Sequence, residues 1–199
     1  MGYIEHLSGD PVMRRLIRVT GPVRIKRTRG ACLFLCRSVV SQQISTQVAR
    51  ILEQRLMSLL PSNEFQPLHL LQVPEKSLRA IGLSAVKASY IHNVARYFED
   101  LALDDNIHDK MDDESVIERL TQVKGIGRWT VEMLLMFSLG RKDVFPLDDY
   151  GILKSMEQYF SLTAASKSEM KKKIESLSIS WSPYKTYAAL HLWKARDLQ

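Results

Sequence analysis

The sequence predicts an all-α fold, on three observations. Apolar residues recur at three- and four-residue intervals along most of the 199 residues. Asp, Ser, Pro and Gly stand where helices need starts and stops. Apart from the short run Asp143 to Phe145, no segment alternates apolar and polar residues as a half-buried strand does.

In chain order, DPVMRRLI opens with Asp10 as cap and Pro11 in the first turn, and Thr20-Gly21-Pro22 ends that helix. The basic run Arg24 to Gly30 is a loop that either lies near a polyanion or is simply solvated. From Ala31 to Leu60 the pattern is helical, with Ile44, Val48, Ile51, Leu52, Leu56 and Leu59 on the recurring positions. Between its halves sit Gln42 and Gln43, odd for a core because a buried amide needs partners; an exposed helix start capped by Ser41 is the bland alternative. Pro61 to Pro74 reads as loop, and Ser77 to Ile81 as a short helix closed by Gly82. Ser84 caps a longer helix with Val86, Tyr90, Ile91, Val94, Phe98 and Leu101 on its buried stripe. Asp104 to Glu114 is an acidic linker. After Tyr150 a helix continues through ILKSMEQYF, and Ala164 to Leu177 forms another, with Lys171-Lys172-Lys173 as a solvated face. Trp181 to Tyr184 introduces the last helix, TYAALHLWKA.

The most informative stretch is SVIERLTQVKGIGRWTVEMLLMFSLGRKDVFPLDDY, Ser115 to Tyr150. Ser115 and Glu118 have capping-box spacing, which predicts a helix start at Ser115. Lys124-Gly125-Ile126-Gly127 breaks that helix in a tight reversal, and a dense apolar helix follows from Trp129. Amides of Gly125, Ile126 and Gly127 at a helix N-terminus suit a phosphate oxygen, with Lys124 and Arg128 adding charge. An ordinary structural turn fits the same spacing. A dinucleotide fingerprint is rejected, because a helical pattern rather than a strand precedes the glycines.

Composition bounds the rest. Hydrophobic content of 45% with 25% charged residues is ordinary for a globular chain of one domain, here taken as residues 1–199. A formal charge of +6 favours a polyanionic partner. Cys32 and Cys36, four apart on a helix face, read as packed thiols in a reducing compartment. No signal pattern or long apolar run is present, so secretion and membrane spanning are not expected. His6, His69, His92, His108 and His191 are scattered without zinc-ligand spacing, and no catalytic metal is implied.

LTQVKGIGRWTVEMLLMF followed by DVFPLDDYGILK closely resembles the helix-hairpin-helix DNA glycosylases, in particular the alkylbase branch of 3-methyladenine DNA glycosylase II. The resemblance covers nearly the whole chain, in the compact form without an N-terminal β lobe. It implies two helical lobes with the active site in the cleft between them, a hairpin motif at about 115–139 and a catalytic loop at 143–150. It implies that Asp149 is catalytic, with Asp148 as capping or support, and that Trp129 and Trp193 line a base pocket with Tyr150 and Tyr187 as weaker candidates. Met133 and Gly151 stand where some relatives carry tyrosine and leucine, which suggests a wider pocket. Gln43 would be the plug that fills the space of an extruded base, with Gln42 beside it. Lys87 would touch phosphate; the bland reading is a surface lysine.

The implied reaction is hydrolysis of the N-glycosidic bond of a flipped, cationic alkylpurine, leaving an abasic site in duplex DNA. A carboxylate stabilises the oxocarbenium-like sugar and orients water, and a charged leaving base needs no dedicated acid. Aromatic faces would recover about 0.5–2 kcal/mol each from the cationic base. Lyase relatives carry lysine where this chain has Trp129, so a monofunctional enzyme is expected. With two cysteines the chain cannot hold the four-cysteine iron–sulfur cluster of some relatives. No cofactor is expected, though the hairpin carbonyls could share a monovalent cation with a phosphate. Damaged double-stranded DNA is the expected partner of a monomer in the cytoplasm and nucleoid, or the nucleus of a eukaryote. A lyase or other lesion specificity, and a non-enzymatic DNA-binding module, are the alternatives.

Overall fold

The computed structural model describes residues 2–28, 30–61, 64–100 and 110–198, and among them every regular element is helical. In chain order these are α1 (Tyr3–Leu7), α2 (Pro11–Thr20), α3 (Ala31–Ser41), α4 (Thr46–Ser58), α5 (Pro67–Gln72), α6 (Glu75–Ala80) and α7 (Ala85–Asp100). They are followed by α8 (Asp113–Thr121), α9 (Arg128–Phe137), α10 (Tyr150–Tyr159), α11 (Lys167–Ser178), a single 3₁₀ turn (Ile179–Trp181) and α12 (Lys185–Asp197). The chain forms two compact units, one of residues 28–134 and the other of residues 1–27 with 135–199; the division falls within α9.

In the unit of residues 28–134, α7 is the helix on which α3, α5 and α6 pack. Its inward face carries Ala88, Ile91, Val94 and Ala95, all fully buried, with Phe98 beside them. Val86 belongs to the same sequence stripe but is 57% exposed, because it lies on the first turn beyond the packed helices. Leu101 and the linker residues 104–109 lie outside the described residues. Cys32 and Cys36 are free thiols buried in α3. In α4 the buried face is Ala49, Leu52 and Leu56, whereas Val48 and Ile51 are exposed. Three- and four-residue spacing admits both stripes, and the small Ala49 lets the first one approach α3.

Three boundaries differ from the sequence reading. Ser41 is the last residue of α3 rather than a cap; Ser45 caps α4 by accepting from Val48 N at 3.4 Å. The expected loop from Pro61 to Pro74 contains α5, started by Pro67 and anchored by the fully buried Leu70. Helix α8 starts at Asp113, because Asp112 accepts from Ser115 N at 2.9 Å and outcompetes the capping box. Ser115 Oγ donates to the same carboxylate at 2.5 Å.

In the other unit, α12 packs on α2 and α10. Asp10 caps α2 through Oδ1, accepting from Val12 N at 2.8 Å and Met13 N at 3.1 Å. Its Oδ2 accepts from the indole Nε1 of the buried Trp181 at 3.2 Å. The run Asp143 to Phe145 is not a strand. Its backbone is pinned instead to the first turn of α12: Val144 N donates to Thr186 Oγ1 at 3.1 Å, and Thr186 N donates to Lys142 O at 3.0 Å.

His191 of α12 is fully buried against Thr20. Thr20 Oγ1 donates to Leu16 O at 2.8 Å, so His191 Nδ1 is the donor in their 2.6 Å contact. Nε2 is then a bare acceptor with no partner among the described residues. Burial, with a smaller contribution from Lys194, pushes the imidazole pKa down to about 4. A folded pKa below the unfolded value means that stability is full above about pH 6.5 and falls as pH drops towards 4. Wild type should lose about 2 kcal/mol more than His191→Gln between pH 7 and pH 5 in denaturant melts. Parallel losses in the two proteins would show that His191 does not titrate on unfolding.

Candidate active site and nucleic-acid interface

The candidate residues fall into two groups, one in each unit. In the unit of residues 1–27 and 135–199, Asp149 is the N-cap of α10. Its Oδ1 accepts from Ile152 N at 2.8 Å and from Trp193 Nε1 at 2.8 Å. One oxygen thus serves a cap and a tryptophan donor, which fixes the carboxyl from two directions. Trp193 in turn leans on Phe137, with ring centroids 6.1 Å apart. The capping and the functional readings of the paired aspartates therefore meet on one residue. Asp148, exposed beside it, pairs with Lys171 and, at 3.9 Å, with Lys167 of α11. Lys171 is accordingly tied to the loop that precedes α10, not part of an idle solvated face.

A Cβ at Gly151 would stand 3.0 Å from Asp149 Oδ1, 3.1 Å from Trp193 Cδ1 and 3.2 Å from Arg196 Nη1, so the bare glycine leaves room for these three side chains around it. Tyr150 is 64% exposed, and its ring already meets Arg196 at 5.4 Å and Lys154 at 5.8 Å. A further cation on that ring would face two like charges. Tyr187 stacks on Tyr3 at 4.2 Å with rings nearly parallel, in a cluster with Tyr184, and makes no described contact with Asp149.

In the unit of residues 28–134, the hairpin Lys124–Gly127 is held from beneath. Gly125 has φ +105°, and a Cβ on it would fall 2.3 Å from the Tyr90 ring. Ile126 is buried, and its N–H donates to Val123 O at 3.0 Å, so Ile126 stabilises the turn and its amide is spent. Asn93 Nδ2 donates to Lys124 O at 3.3 Å and Gln42 Nε2 to Gly125 O at 3.2 Å. Gly127 is exposed, and nothing stands within 4 Å of where its Cβ would be. That open approach leads to the start of α9, where partial positive charge collects. Lys124 is exposed at the same place.

Arg128 is not a simple phosphate ligand. Its guanidinium makes a two-pronged pair with Glu114, at 2.7 and 3.2 Å, and reaches Glu132 at 3.2 Å. Lys87 also departs from expectation: its ammonium donates to Val40 O at 2.8 Å and Gln42 O at 2.7 Å. Burial lowers its pKa from the usual lysine value. Gln43 is exposed with φ +57°, a left-handed conformation costing about 1–2 kcal/mol in a residue with a side chain. Gln42, by contrast, is turned onto the hairpin. Of the two aromatic pocket candidates on α9 and α12, Trp129 is 45% exposed at the first turn of α9, and Met133 is buried one turn on.

Tyr90, Asn93, Gln42 as a strut and Arg196 are contributors that the sequence reading missed. Tyr90 and Asn93 were detectable only as neighbours three apart on a helix; nothing linked them to a hairpin some thirty residues away.

The model of the HhH-GPD superfamily of base excision DNA repair proteins matches residues 36–178. DNA-3-methyladenine glycosylase 1 of Schizosaccharomyces pombe is 36% identical, over 97% of this chain and 86% of its own length. The solved structure of the 3-methyladenine DNA glycosylase of that yeast in complex with abasic DNA superposes with a TM-score of 0.82, covering 96% of this chain and 95% of the other at 34% identity. A DNA-3-methyladenine glycosidase from Bacillus halodurans superposes with a TM-score of 0.86 at 31% identity, over 98% and 89% of the two chains.

The two hairpin glycines should respond differently. Gly125→Ala meets both a left-handed backbone and the Tyr90 ring, and should lower stability by about 2–4 kcal/mol in chemical melts. Gly127→Ala should leave stability within about 0.5 kcal/mol yet weaken binding to duplex DNA in titrations. Equal effects of the two substitutions on stability would contradict the division of labour.

Proposed function

The chain belongs to the HhH-GPD superfamily of base excision DNA repair proteins, and from that premise we propose that it is a monofunctional DNA-3-methyladenine glycosylase. It hydrolyses the N-glycosidic bond of alkylated purines in DNA and leaves an abasic site for the rest of base excision repair. The observation that supports the catalytic assignment is the setting of Asp149: it stands at the start of α10 with Oδ1 held by Ile152 N and by the Nε1 of a partly exposed Trp193.

The chemistry follows from that arrangement. The base leaves with the electron pair of the glycosidic bond, and positive charge develops at C1′ of the sugar. A carboxylate already fixed in place opposes that charge without reorganising. It also accepts a hydrogen bond from the water that forms the new C–O bond, and takes its proton. A cationic purine departs neutral, so one carboxylate suffices. The indole of Trp129 supplies no amine for attack on C1′, which separates this reaction from the lyase branch. Trp129 on α9 and Trp193 on α12 are each candidates for an aromatic face toward the extruded base.

Lys124, the open amide side of Gly127 and the start of α9 form the phosphate grip, and Gln43 is the plug. Extrusion costs a few kcal/mol, and filling the vacated stack offsets part of it. The protein works as a monomer on damaged double-stranded DNA, in the cytoplasm and nucleoid or in a eukaryotic nucleus, without a membrane partner. Among the described residues no helix is long and apolar enough to cross a membrane. No cofactor enters this mechanism. A monovalent cation at the hairpin would use the second lone pairs of Lys124 O and Gly125 O, whose first are taken by Asn93 and Gln42.

Asp149→Asn tests the reading cleanly, because asparagine caps a helix as well as aspartate does and the fold should survive. Release of methylpurines from methylated duplex DNA should fall by about 10²–10³-fold, with DNA affinity little changed. Trp193→Phe removes the Nε1–H donor together with part of the ring surface and should cost about tenfold or more. Equal release by wild type and Asp149→Asn would reduce Asp149 to a cap. Separately, affinity should fall steeply with salt, as phosphate-dominated binding does, and a flat response would contradict the grip.

A further inference from the structure

Lys87 sits in the first turn of α7, where a cation opposes the helix dipole. Its ammonium leaves that helix and reaches the C-terminal end of α3, where cations are favoured, donating to Val40 O and Gln42 O. These belong to the carbonyls that a helix end leaves without partners. Immediately beyond them the chain turns through Gln43, exposed and left-handed at φ +57°. Such a conformation persists only where its surroundings over-determine it. The turn is closed by Ile44 N, which donates to Ser41 O at 3.4 Å, and Gln42 within it is held from two further sides: by Lys87 through its carbonyl, and by the hairpin through Gln42 Nε2 and Gly125 O.

We propose that Lys87 and Gln42 are positioning residues for the plug, a two-point clamp that holds Gln43 presented for entry into the duplex and ties it to the phosphate-gripping hairpin. Neither residue contacts DNA in this arrangement. Lys87 acts through two backbone carbonyls, and Gln42 acts through its side-chain amide on the hairpin. The plug and the grip thereby form one piece, so that a phosphate seated at Gly127 also sets the register of Gln43. The inference rests on Gln43 as the plug of the proposed glycosylase, but it does not require base release to be observed.

The experiment uses the full chain and a duplex carrying a tetrahydrofuran abasic analogue with 2-aminopurine opposite it. Saturating wild type should change the 2-aminopurine fluorescence as Gln43 enters the gap. Lys87→Met should lose about half or more of that change at saturation, while the slope of log Kd against log salt stays as in wild type. Lys87→Arg, which can still donate to a carbonyl, should restore most of it. Gln42→Ala should lose signal in the same direction, and decides the matter if Lys87→Met does not fold. A salt slope reduced by about one, with the full fluorescence change retained, would make Lys87 a phosphate contact and overturn the clamp. No fluorescence change with wild type would overturn the placement of the plug. A protein that released no base but gave the expected pattern would count against the glycosylase reading and leave the clamp standing.

Discussion

Each helix leaves four amides at its start and four carbonyls at its end without helical partners, and here the candidate functional groups stand at such ends. Asp149 is a cap of α10. Lys87 takes carbonyls at the end of α3, and Gln42 and Asn93 take carbonyls of the hairpin before α9. Each of these polar side chains satisfies a backbone group and, in doing so, is itself fixed. The start of α9, behind Gly127, is open: nothing stands within 4 Å of where a Cβ on that glycine would be. The same requirement that closes the other ends leaves this one suited to an anion from outside.

The arrangement of an aspartate cap locked by a tryptophan N–H occurs twice. Asp10 caps α2 and accepts from Trp181, and Asp149 caps α10 and accepts from Trp193. The motif therefore does not by itself specify catalysis. The surroundings separate the two. Trp181 is buried among Phe145 and Phe160 and joins distant segments of its unit, so that pair is structural. Trp193 is partly exposed and its carboxylate stands beside a glycine and an arginine at a helix mouth.

Much of this was legible in the sequence. The all-α class, the hairpin reversal at Gly125 and the Asp10 and Ser84 caps all rest on local rules that tertiary packing left alone, whereas Asp149 was singled out by resemblance and the cap assigned to Asp148 falls to it instead. Ser115 failed as a helix start because Asp112, one turn earlier, offered a better acceptor. Val48 and Ile51 failed as core residues because periodicity defines a stripe without saying which of two adjacent stripes is covered. Lys87 and Arg128 were read as phosphate ligands from charge and position. Charge says nothing about partners: Lys87 found two carbonyls and Arg128 found two carboxylates. Gln42 and Gly125 are 83 residues apart, and no spacing rule connects an amide to a hairpin at that range.

The pairing of Arg128 changes the electrostatics of the grip. With Glu114 and Glu132 both engaged, the three groups carry a formal charge of −1, so the arginine does not add net attraction at the hairpin. The exposed pair with Glu114 is worth little in stability, and salt screens it. The effect of the two pairs is better understood as placement: the guanidinium bridges α8 to the first turn of α9 across the hairpin and keeps the two helices in register. On the proposed grip, a long-range field from the basic chain draws DNA in, and Lys124 with the open start of α9 would meet a phosphate without reading a base. That division suits a protein that must grip any sequence and select only the lesion it extrudes.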